Sequence, residues 1–392
     1  MSSNMAELIR DTDAMPEGWR TAPFSALADY VNGRAFKPED WGTEGLPIIR
    51  IAQITNPDAE TNFFDGAVDP RNLIDDDDLI FSWSATLAVM RWRKGPAVLN
   101  QHLFKVTPAE GIDRDWLQFR LDASIPDLAD EAHGTTMKHI RKGTLSSQST
   151  IVPPLDEQRR IAEVLRSVDE AIAAADGVIS QLQETRGLRL EALMALPGTY
   201  RRIDEVCRLS GGNGFPIKHQ GKAAGQYPFA KVSDMNRPGN EVQMRNAENY
   251  VDEADLRTLK AKTFPVGTTF FPKVGATLLT NKRRIAAVEM LVDNNVMGAV
   301  ATDIDPWFLY YAFCTIDMAD YVQPGAVPSV NQRTIGQIMI PVPDRAAQEE
   351  FVETMRDLDA AIEMQSDALA QLTATKQSLM ADLLSGRVRV PA

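Results

Sequence analysis

Two stretches of this chain repeat one another at a constant separation of 190 residues. Identical residues stand at matching positions: Gln158 and Gln348, Asp169 and Asp359, Ile172 and Ile362, Leu182 and Leu372, Thr185 and Thr375, and Leu193 and Leu383. An offset that holds without a gap over about forty residues indicates an internal duplication. The repeat is as long as a globular domain plus a helix, which is too long for a solenoid. The chain is therefore predicted to fold as two related halves.

Each repeated stretch predicts a long helix. Pro153-Pro154 ends a strand, Asp156 lies where an N-cap belongs, and apolar residues then recur at steps of three and four until Pro197-Gly198. Such a helix has about 38 residues and is about 57 Å long. The second helix follows Pro343-Asp344, ends at Gly386 and carries a heptad seam. We expect the two helices to pack antiparallel as a coiled coil that holds two domains apart.

The rest of the sequence divides into two globular regions whose patterns match. The matching segments are 46–54 with 227–235, 99–104 with 292–297, and Trp116 with Trp307. The predicted fold class is mixed α/β, of the α+β type, with two duplicated domains, two long antiparallel coiled-coil helices and pseudo-two-fold symmetry. The predicted boundaries are 1–150 for the first domain, 151–197 for the first helix, 198–340 for the second domain and 341–392 for the second helix.

Three local patterns are less distinctive. Residues 21–31 are predicted to form a short helix, and residues 46–55 a strand. The four aspartates at 75–78 could hold a divalent ion, but adjacent carboxylates on one turn do not all converge. A solvated turn is the better interpretation of this acidic run.

Composition bounds the class of protein. The net charge of −13 argues against a generally basic nucleic-acid binder. The charge is unevenly spread, however: residues 1–150 are acidic, with 15 Lys and Arg against 23 Asp and Glu, whereas residues 201–340 are slightly basic, with 16 against 14. The two cysteines, Cys207 and Cys314, have no zinc or redox spacing. The N-terminal residues lack signal-peptide features, and no apolar run approaches a membrane span. A cytoplasmic location is expected.

No catalytic apparatus is evident in the sequence. Gly211-Gly212-Asn213-Gly214 is better explained as a turn than as a nucleotide-binding loop. The four histidines, at 102, 133, 139 and 219, are scattered without metal-ligand spacing. The chain is therefore expected to be no enzyme, with no catalytic residue and no metal site.

Basic and amide side chains cluster at corresponding places of the two halves. Arg and Lys contact phosphate or guanine, and Asn and Gln pair with adenine. The candidate DNA-binding residues are Arg91, Arg93, Lys94, Lys138, Arg141, Lys142, Lys218, Lys273, Asn281, Lys282, Arg283, Arg284, Asn331 and Arg333. Asn100-Gln101-His102 stays open between base reading and shaping the core, and Asn294-Asn295 between base reading and capping a turn.

Several motifs together resemble the specificity (S) subunits of Type I restriction–modification systems. They are Pro-Leu-Asp-Glu-Gln-Arg-Arg-Ile at 154–161, its degenerate copy Pro-Val-Pro-Asp-Arg-Ala-Ala-Gln at 341–348, Asn-Gln-His at 100–102, and the domain–helix–domain–helix order. The likeness covers essentially the whole chain. The second copy departs from the pattern, because Ala347 stands where the first has Glu157.

The resemblance implies two target-recognition domains that each read half of a bipartite DNA sequence. It implies that the helices dock two copies of a modification subunit, which carries the adenine methyltransferase chemistry, and that a restriction subunit can join in anti-phage defence. Expected partners are thus double-stranded DNA and these subunits, with no membrane. This chain would hold no cofactor, with S-adenosylmethionine, and ATP and Mg in the full complex, on the partner subunits. The residues expected to bind the partner are Leu155, Gln158, Ile161, Leu165, Gln348, Phe351 and Met355.

A different class of function also fits the pattern. The chain could be a bipartite protein-interaction scaffold without DNA function, in which the coiled coil is a spacer. The sequence pI of about 4.9 favours this alternative, whereas the paired basic and amide clusters disfavour it. A truncated fragment of a fused methyltransferase is a third, weaker option.

Overall fold

A computed structural model of the protein shows a chain that divides into two compact units. Unit 1 comprises residues 1–175 and 368–392, and unit 2 comprises residues 176–367. The residues that the structure describes are 15–56, 59–130, 140 and 142–390. Each long helix contributes one part to unit 1 and the other part to unit 2.

The first half of the chain supplies the sheets of unit 1. The strands are β1 (Arg20–Pro23), β2 (Ala28–Asn32), β3 (Leu46–Ile49), β4 (Phe63–Phe64), β5 (Leu73–Ile74), β6 (Leu79–Ser82), β7 (Ala88–Arg91), β8 (Ala97–Leu99), β9 (Leu103–Pro108) and β10 (Ser149–Val152). The helices are α1 (Ile51–Thr55), α2 (Arg114–Asp130), α3 (Lys142–Ser147) and the long α4 (Leu155–Leu193). The sheets have the orders β1-β10, β2-β9-β6-β7 and β4-β3-β8-β5.

The second half of the chain supplies the sheets of unit 2. The strands are β11 (Thr199–Arg202), β12 (Cys207–Gly211), β13 (Tyr227–Ala230), β14 (Gln243–Met244), β15 (Asn249–Val251), β16 (Thr269–Pro272), β17 (Arg284–Ala286), β18 (Leu291–Val292), β19 (Val296–Ala301) and β20 (Met339–Val342). The helices are α5 (Ile203–Val206), α6 (Glu253–Leu259), α7 (Pro306–Cys314), α8 (Gln332–Gly336) and the long α9 (Arg345–Ser385). The sheets have the orders β11-β20, β12-β19-β16-β17-β14 and β15-β13-β18.

The strand orders confirm the duplication. The order β2-β9-β6-β7 of unit 1 returns as β12-β19-β16-β17 in unit 2, and β3 and β8 pair in parallel as β13 and β18 do. Phe81 lies opposite Phe104 in unit 1, and Phe271 lies opposite Met297 in unit 2. These registers confirm the predicted match of 99–104 with 292–297. The mixed α+β fold with two duplicated domains is thus observed.

Three local predictions are wrong. Residues 21–31 form β1, a short 3-10 turn and β2 instead of a helix, because β1 pairs with the distant β10. The predicted strand at 46–55 is β3 only as far as Ile49, after which α1 begins. Trp116 corresponds to Phe308 and not to Trp307, because Asp113 caps the amide of Trp116 as Asp305 caps that of Phe308.

The start of each long helix is tied to its own domain by a buried glutamine. Gln158 is 1% exposed; its Oε1 accepts from the amide of Asp113 at 2.7 Å, and its Nε2 donates to the carbonyls of Gly111 and Pro153. Gln348 accepts from the amide of Asp305 at 2.9 Å and donates to the carbonyl of Pro343. In both units the glutamine therefore joins the start of a long helix to the N-cap residue of α2 or α7.

Both units also contain a matching ion pair between α4 and α9. In unit 1, Lys376 lies 2.6 Å from Asp169, and in unit 2 Arg186 lies 2.5 Å from Asp359. The two pairs are the same contact in the repeat, since 186 and 376, like 169 and 359, are 190 residues apart. In unit 1 a second pair, Arg389 with Glu157 at 2.6 Å, shows that the chain of α9 runs opposite to α4 there. The coiled-coil geometry stays a prediction.

Candidate nucleic-acid interface

Two turns of unit 1 meet at one end of its main sheet. The turn 83–87 between β6 and β7 lies beside the turn 100–102 between β8 and β9, and the Trp83 amide donates to the carbonyl of His102 at 3.5 Å. The rings of Trp83 and His102 have centroids 5.6 Å apart. The amide of Ile140 donates to the carbonyl of Trp83 at 2.9 Å, which brings the segment before α3 to the same place. Lys142, at the start of α3, is exposed, with its Nζ 5.9 Å from the ring centroid of Phe104.

Unit 2 repeats this arrangement with other side chains. The Lys273 amide donates to the carbonyl of Asn295 at 2.8 Å, and the amide of Val330 donates to the carbonyl of Lys273 at 3.0 Å. The turn between β16 and the next segment contains Gly275 with φ +84°, as the turn in unit 1 contains Ala85 with φ +56°. We call these regions the turn surfaces: residues 83–87, 100–102 and 142 in unit 1, and residues 273–277, 293–295 and 331–333 in unit 2.

The turn surfaces collect part of the predicted DNA-binding set. Lys142 belongs to the first, and Lys273, Asn331 and Arg333 belong to the second. Asn331 has a structural task as well, because its side chain caps α8 by accepting from the Thr334 amide at 2.8 Å. The predicted Lys138 and Arg141 lie outside the described residues.

Four other candidates lie elsewhere. Arg93 and Lys94 are exposed in the turn after β7, which is at the far end of that strand from residues 83–87. Lys218 is exposed on a short 3-10 helix, 217–219. Arg91 is engaged internally, because its guanidinium contacts the carboxylates of Asp77 and Asp115.

The run from Asn281 to Arg284, which holds four of the predicted DNA-binding residues, is largely structural. Arg283 is 3% exposed, and its guanidinium donates to the carbonyls of Phe313 and Ile316 at 3.1 and 2.9 Å. Burial lowers the pKa of Arg283 to about 10. The prediction that Arg283 contacts DNA is therefore wrong, because its side chain braces the end of α7 from inside unit 2.

The neighbours of Arg283 are held in place too. Arg284 donates to the carbonyl of Met235 at 2.8 Å, Lys282 donates to the side chain of Asn236, and Asn281 donates to Asp317 at 2.9 Å. Lys282 and Arg284 line a cleft of 1350 Å³ in unit 2. The α9 residues that line the same cleft include Glu353, Asp357 and Glu363 together with Arg356.

The residues predicted to bind the partner subunit are mostly core residues of this chain. Gln158, Ile161, Leu165, Gln348 and Met355 are each at most 5% exposed. The predicted role for these five is wrong, because the apolar side of each helix start packs on the domain beside it. Leu155 and Phe351 are half-buried, and Phe351 packs on the rings of Phe308 and Tyr311.

The long helices also carry exposed apolar residues that the predicted partner-binding set does not include. Val178, Leu188 and Met364 are exposed by 41%, 61% and 66%. All three belong to the part of α4 or α9 in unit 2. A large apolar side chain outside the packed stripe of a helix is the signal that could have identified them.

The described residues contain no group of three or more His, Cys, Asp or Glu side chains that could hold a metal ion. The aspartates at 75–78 instead form a turn, in which the carboxylate of Asp78 accepts from the Asp75 amide and the carboxylate of Asp76 accepts from the Gly95 amide. Burial raises the pKa of the Cys207 thiol to about 12 and also raises that of Cys314, so neither is a reactive thiolate at neutral pH. In the described part of the chain, no helix is long and apolar enough to cross a membrane.

A family model and two known proteins match the sequence of this chain. Residues 16–184 and 199–374 match the family model described as the Type I restriction modification DNA specificity domain. The chain is 26% identical to the EcoBI specificity subunit of Escherichia coli over 171 residues, which cover 43% of this chain and 35% of that protein. It is 20% identical to the MjaVIII specificity subunit of Methanocaldococcus jannaschii over 96% of this chain and 94% of that protein.

Solved structures show the same fold. The crystal structure of the Type I restriction–modification S subunit from M. genitalium superposes with a TM-score of 0.61 at 15% identity, over 93% of this chain and 96% of that one. A chain from a structural study of complex assembly and conformational transition of the type I system gives a TM-score of 0.55 at 15% identity, over 96% of this chain and 100% of that one.

Proposed function

Because the chain belongs to the family of Type I restriction–modification specificity subunits, we propose that each of its two domains reads one half of a bipartite DNA sequence. The observation that supports this most is the repeated turn surface: the same backbone arrangement occurs in both units but carries different polar side chains. Two domains with the same backbone but different surface side chains suit a DNA target whose two halves differ in sequence.

The chain would act without a catalytic step of its own. The methyltransferase chemistry on adenine, with its S-adenosylmethionine, would belong to two copies of a modification subunit, and ATP and Mg to a restriction subunit of the full complex. Such an assembly would work in the cytoplasm. The acidic charge of this chain fits a role in which partner subunits supply much of the positive surface around the DNA.

The partner would dock on the exposed sides of the long helices. The buried glutamines hold each helix start against its own domain, so these helix starts are occupied. Val178, Leu188 and Met364 are exposed apolar side chains on α4 and α9, and apolar anchors carry much of the binding energy of protein interfaces. We expect Leu188→Glu with Met364→Glu to weaken capture of the modification subunit by about 100-fold or more.

Two measurements test the proposal. First, the chain is co-expressed with a Type I modification (methyltransferase) subunit, and genomic methylation is sequenced with and without this chain. A bipartite methylated sequence that depends on this chain is the expected result. Stable folding and purification with no methyltransferase bound and no methylation would contradict the proposal and favour the scaffold alternative. Met339→Glu, an exposed apolar position outside the long helices, is the matched control for the docking variant.

The second measurement tests whether the helices set the gap between the half-sites. Inserting four residues in both α4 and α9 adds about 6 Å, or about two base-pair steps, to their length. We expect the unread spacer in the methylated sequence to lengthen while both half-sites stay the same. An unchanged spacer in an active complex would eliminate this ruler function.

A further inference from the structure

The two turn surfaces share a set of backbone positions that can be matched one to one. Strand pairing places Phe81 with Phe271 and Phe104 with Met297, so position 83 corresponds to 273, and positions 101 and 102 correspond to 294 and 295. The same two hydrogen bonds recur in each unit: the amide of residue 83 or 273 donates to the carbonyl of residue 102 or 295, and the carbonyl of 83 or 273 accepts from the amide of 140 or 330. The scaffold of these three positions is thus conserved within the chain.

The side chains on this shared scaffold differ at all three positions, and the chemical group differs at two of them, because Gln101 and Asn294 are both amides. Unit 1 presents an indole, an amide and an imidazole, from Trp83, Gln101 and His102. Unit 2 presents an ammonium group and two amides, from Lys273, Asn294 and Asn295. Gln101, Asn294 and Asn295 are exposed, and the other three are half-buried.

The core positions beneath the turns do not vary in this way. Phe81 and Phe271 are both aromatic and fully buried, and Phe104 and Met297 are both apolar and at most 3% exposed. The two core positions thus stay apolar in both units, while the residues on the turns above them change. This is where variation alters what a domain binds without altering how it folds.

We infer that positions 83, 101 and 102 in unit 1, and 273, 294 and 295 in unit 2, are the base-reading positions that make the two half-sites different. Asn and Gln amides pair bidentately with adenine, and the Lys ammonium group donates to guanine O6 and N7. Unit 2 is therefore suited to a purine-rich edge with both adenine and guanine acceptors. In unit 1 the Trp83 and His102 rings, 5.6 Å apart, offer apolar contact to thymine methyl groups next to an adenine read by Gln101.

This inference rests on the proposed DNA-reading function, and it is tested in unit 2, where the side chains carry little of the fold. The variants are Lys273→Ala and Asn294→Ala, each in the complete complex with its methyltransferase subunit. Methylation of a plasmid library with randomised half-sites is sequenced. We expect each variant to relax one position of one half-site and to slow methylation of the wild-type sequence about 10-fold, because one base contact is lost. The other half-site should stay strict.

A gain-of-function variant provides the second arm. Gln101→Asn with His102→Asn gives unit 1 the amides that unit 2 carries at these positions, and the half-site of unit 1 should then change. Arg71→Ala is the control, since the Arg71 side chain is 76% exposed, pairs with Asp69 and lies outside the turn surface; it should leave the sequence preference unchanged.

The results separate the two proposals. If the wild-type complex methylates a bipartite sequence but the unit 2 variants keep the same sequence and rate, the inference is overturned and the function stands. If the wild-type complex selects no sequence at all, the proposed function fails first.

Discussion

The two units of this protein are alike inside and different outside. Both anchor a long helix through a buried glutamine, both contain the ion pair between α4 and α9, and both carry the strand order of the main sheet. Their turn surfaces share a backbone but not a single side chain at positions 83, 101 and 102 and their counterparts. The duplication has thus preserved what holds the helices and has let the exposed turns diverge.

One internal contact breaks the equivalence. Glu157 of unit 1 is 3% exposed and accepts from the indole of Trp19 at 2.9 Å and from the guanidinium of Arg389. At the matching position of unit 2 stands Ala347, which has no carboxylate to offer. Unit 1 therefore has an additional polar lock between its N-terminal segment, its helix start and the segment after α9.

The largest difference should appear when the glutamines are removed. Gln158→Ala deprives three backbone groups of their hydrogen-bond partner, whereas Gln348→Ala deprives two, and in each set the proline carbonyl is the buried one. We expect losses of about 3 and about 2 kcal/mol of unfolding free energy, because buried unpaired polar groups are costly. Hydrogen exchange resolved by unit would measure both. If the backbone amides around Asp113 are equally protected from hydrogen exchange in the wild type and in Gln158→Ala, the Gln158 side chain does not have this role.

A smaller difference is expected between the two ion pairs. In unit 2 the carboxylate of Asp359 is 11% exposed and also accepts from the hydroxyl of Tyr311 at 2.8 Å, whereas Asp169 in unit 1 is 39% exposed. Arg186→Ala should lower the free energy of unfolding by about 2 kcal/mol, because it leaves the Asp359 carboxylate unpaired with little access to water. Lys376→Ala should cost about 0.5 kcal/mol, as for surface pairs. Urea unfolding of the two variants compares them directly, and equal losses would show that burial does not distinguish the pairs.

The smallest effect is a dependence on pH confined to unit 1. Burial alone would raise the pKa of Glu157, but the hydrogen bonds from Arg389 and Trp19 outweigh it and lower this pKa below its usual value. A carboxyl with a lowered pKa stabilises the fold above its unfolded pKa of about 4.3 and loses that contribution as the pH falls through the folded value. Glu157→Gln should remove about 1 kcal/mol at pH 7 and flatten the loss of unit 1 stability below about pH 4.3. Ala347→Gln is the control at the matching position of unit 2. If the stability of unit 1 in Glu157→Gln falls with pH as steeply as in the wild type, the Glu157 carboxylate does not have this role.

The large-scale organisation was predictable because it depends on long periodic patterns. Prolines before each helix, heptad spacing and a constant offset are properties of the chain alone, and the helices begin and end within a few residues of the predicted positions. The segment 21–31 was not predictable, since β1 exists through its pairing with β10 more than a hundred residues away.

The site residues were harder to predict for a physical reason. An apolar stripe has the same spacing whether it packs on its own domain, as Ile161 and Leu165 do, or on a partner. A run of basic residues has the same composition whether it faces solvent or, like Arg283, is buried against the carbonyls at the end of a helix. The turn surfaces could be recognised only once β6 and β16 were placed in the same register.

The division of the chain into units also sets an order for folding during synthesis. Unit 2 is one continuous segment, so all of it is available once residue 367 has left the ribosome. Unit 1 begins earlier, yet its core includes Leu383 and Leu384, and its polar lock includes Arg389. The domain that is made first must therefore be completed last, against the usual direction in which domains fold. Truncation after residue 367 should accordingly damage the N-terminal domain more than the domain next to the cut.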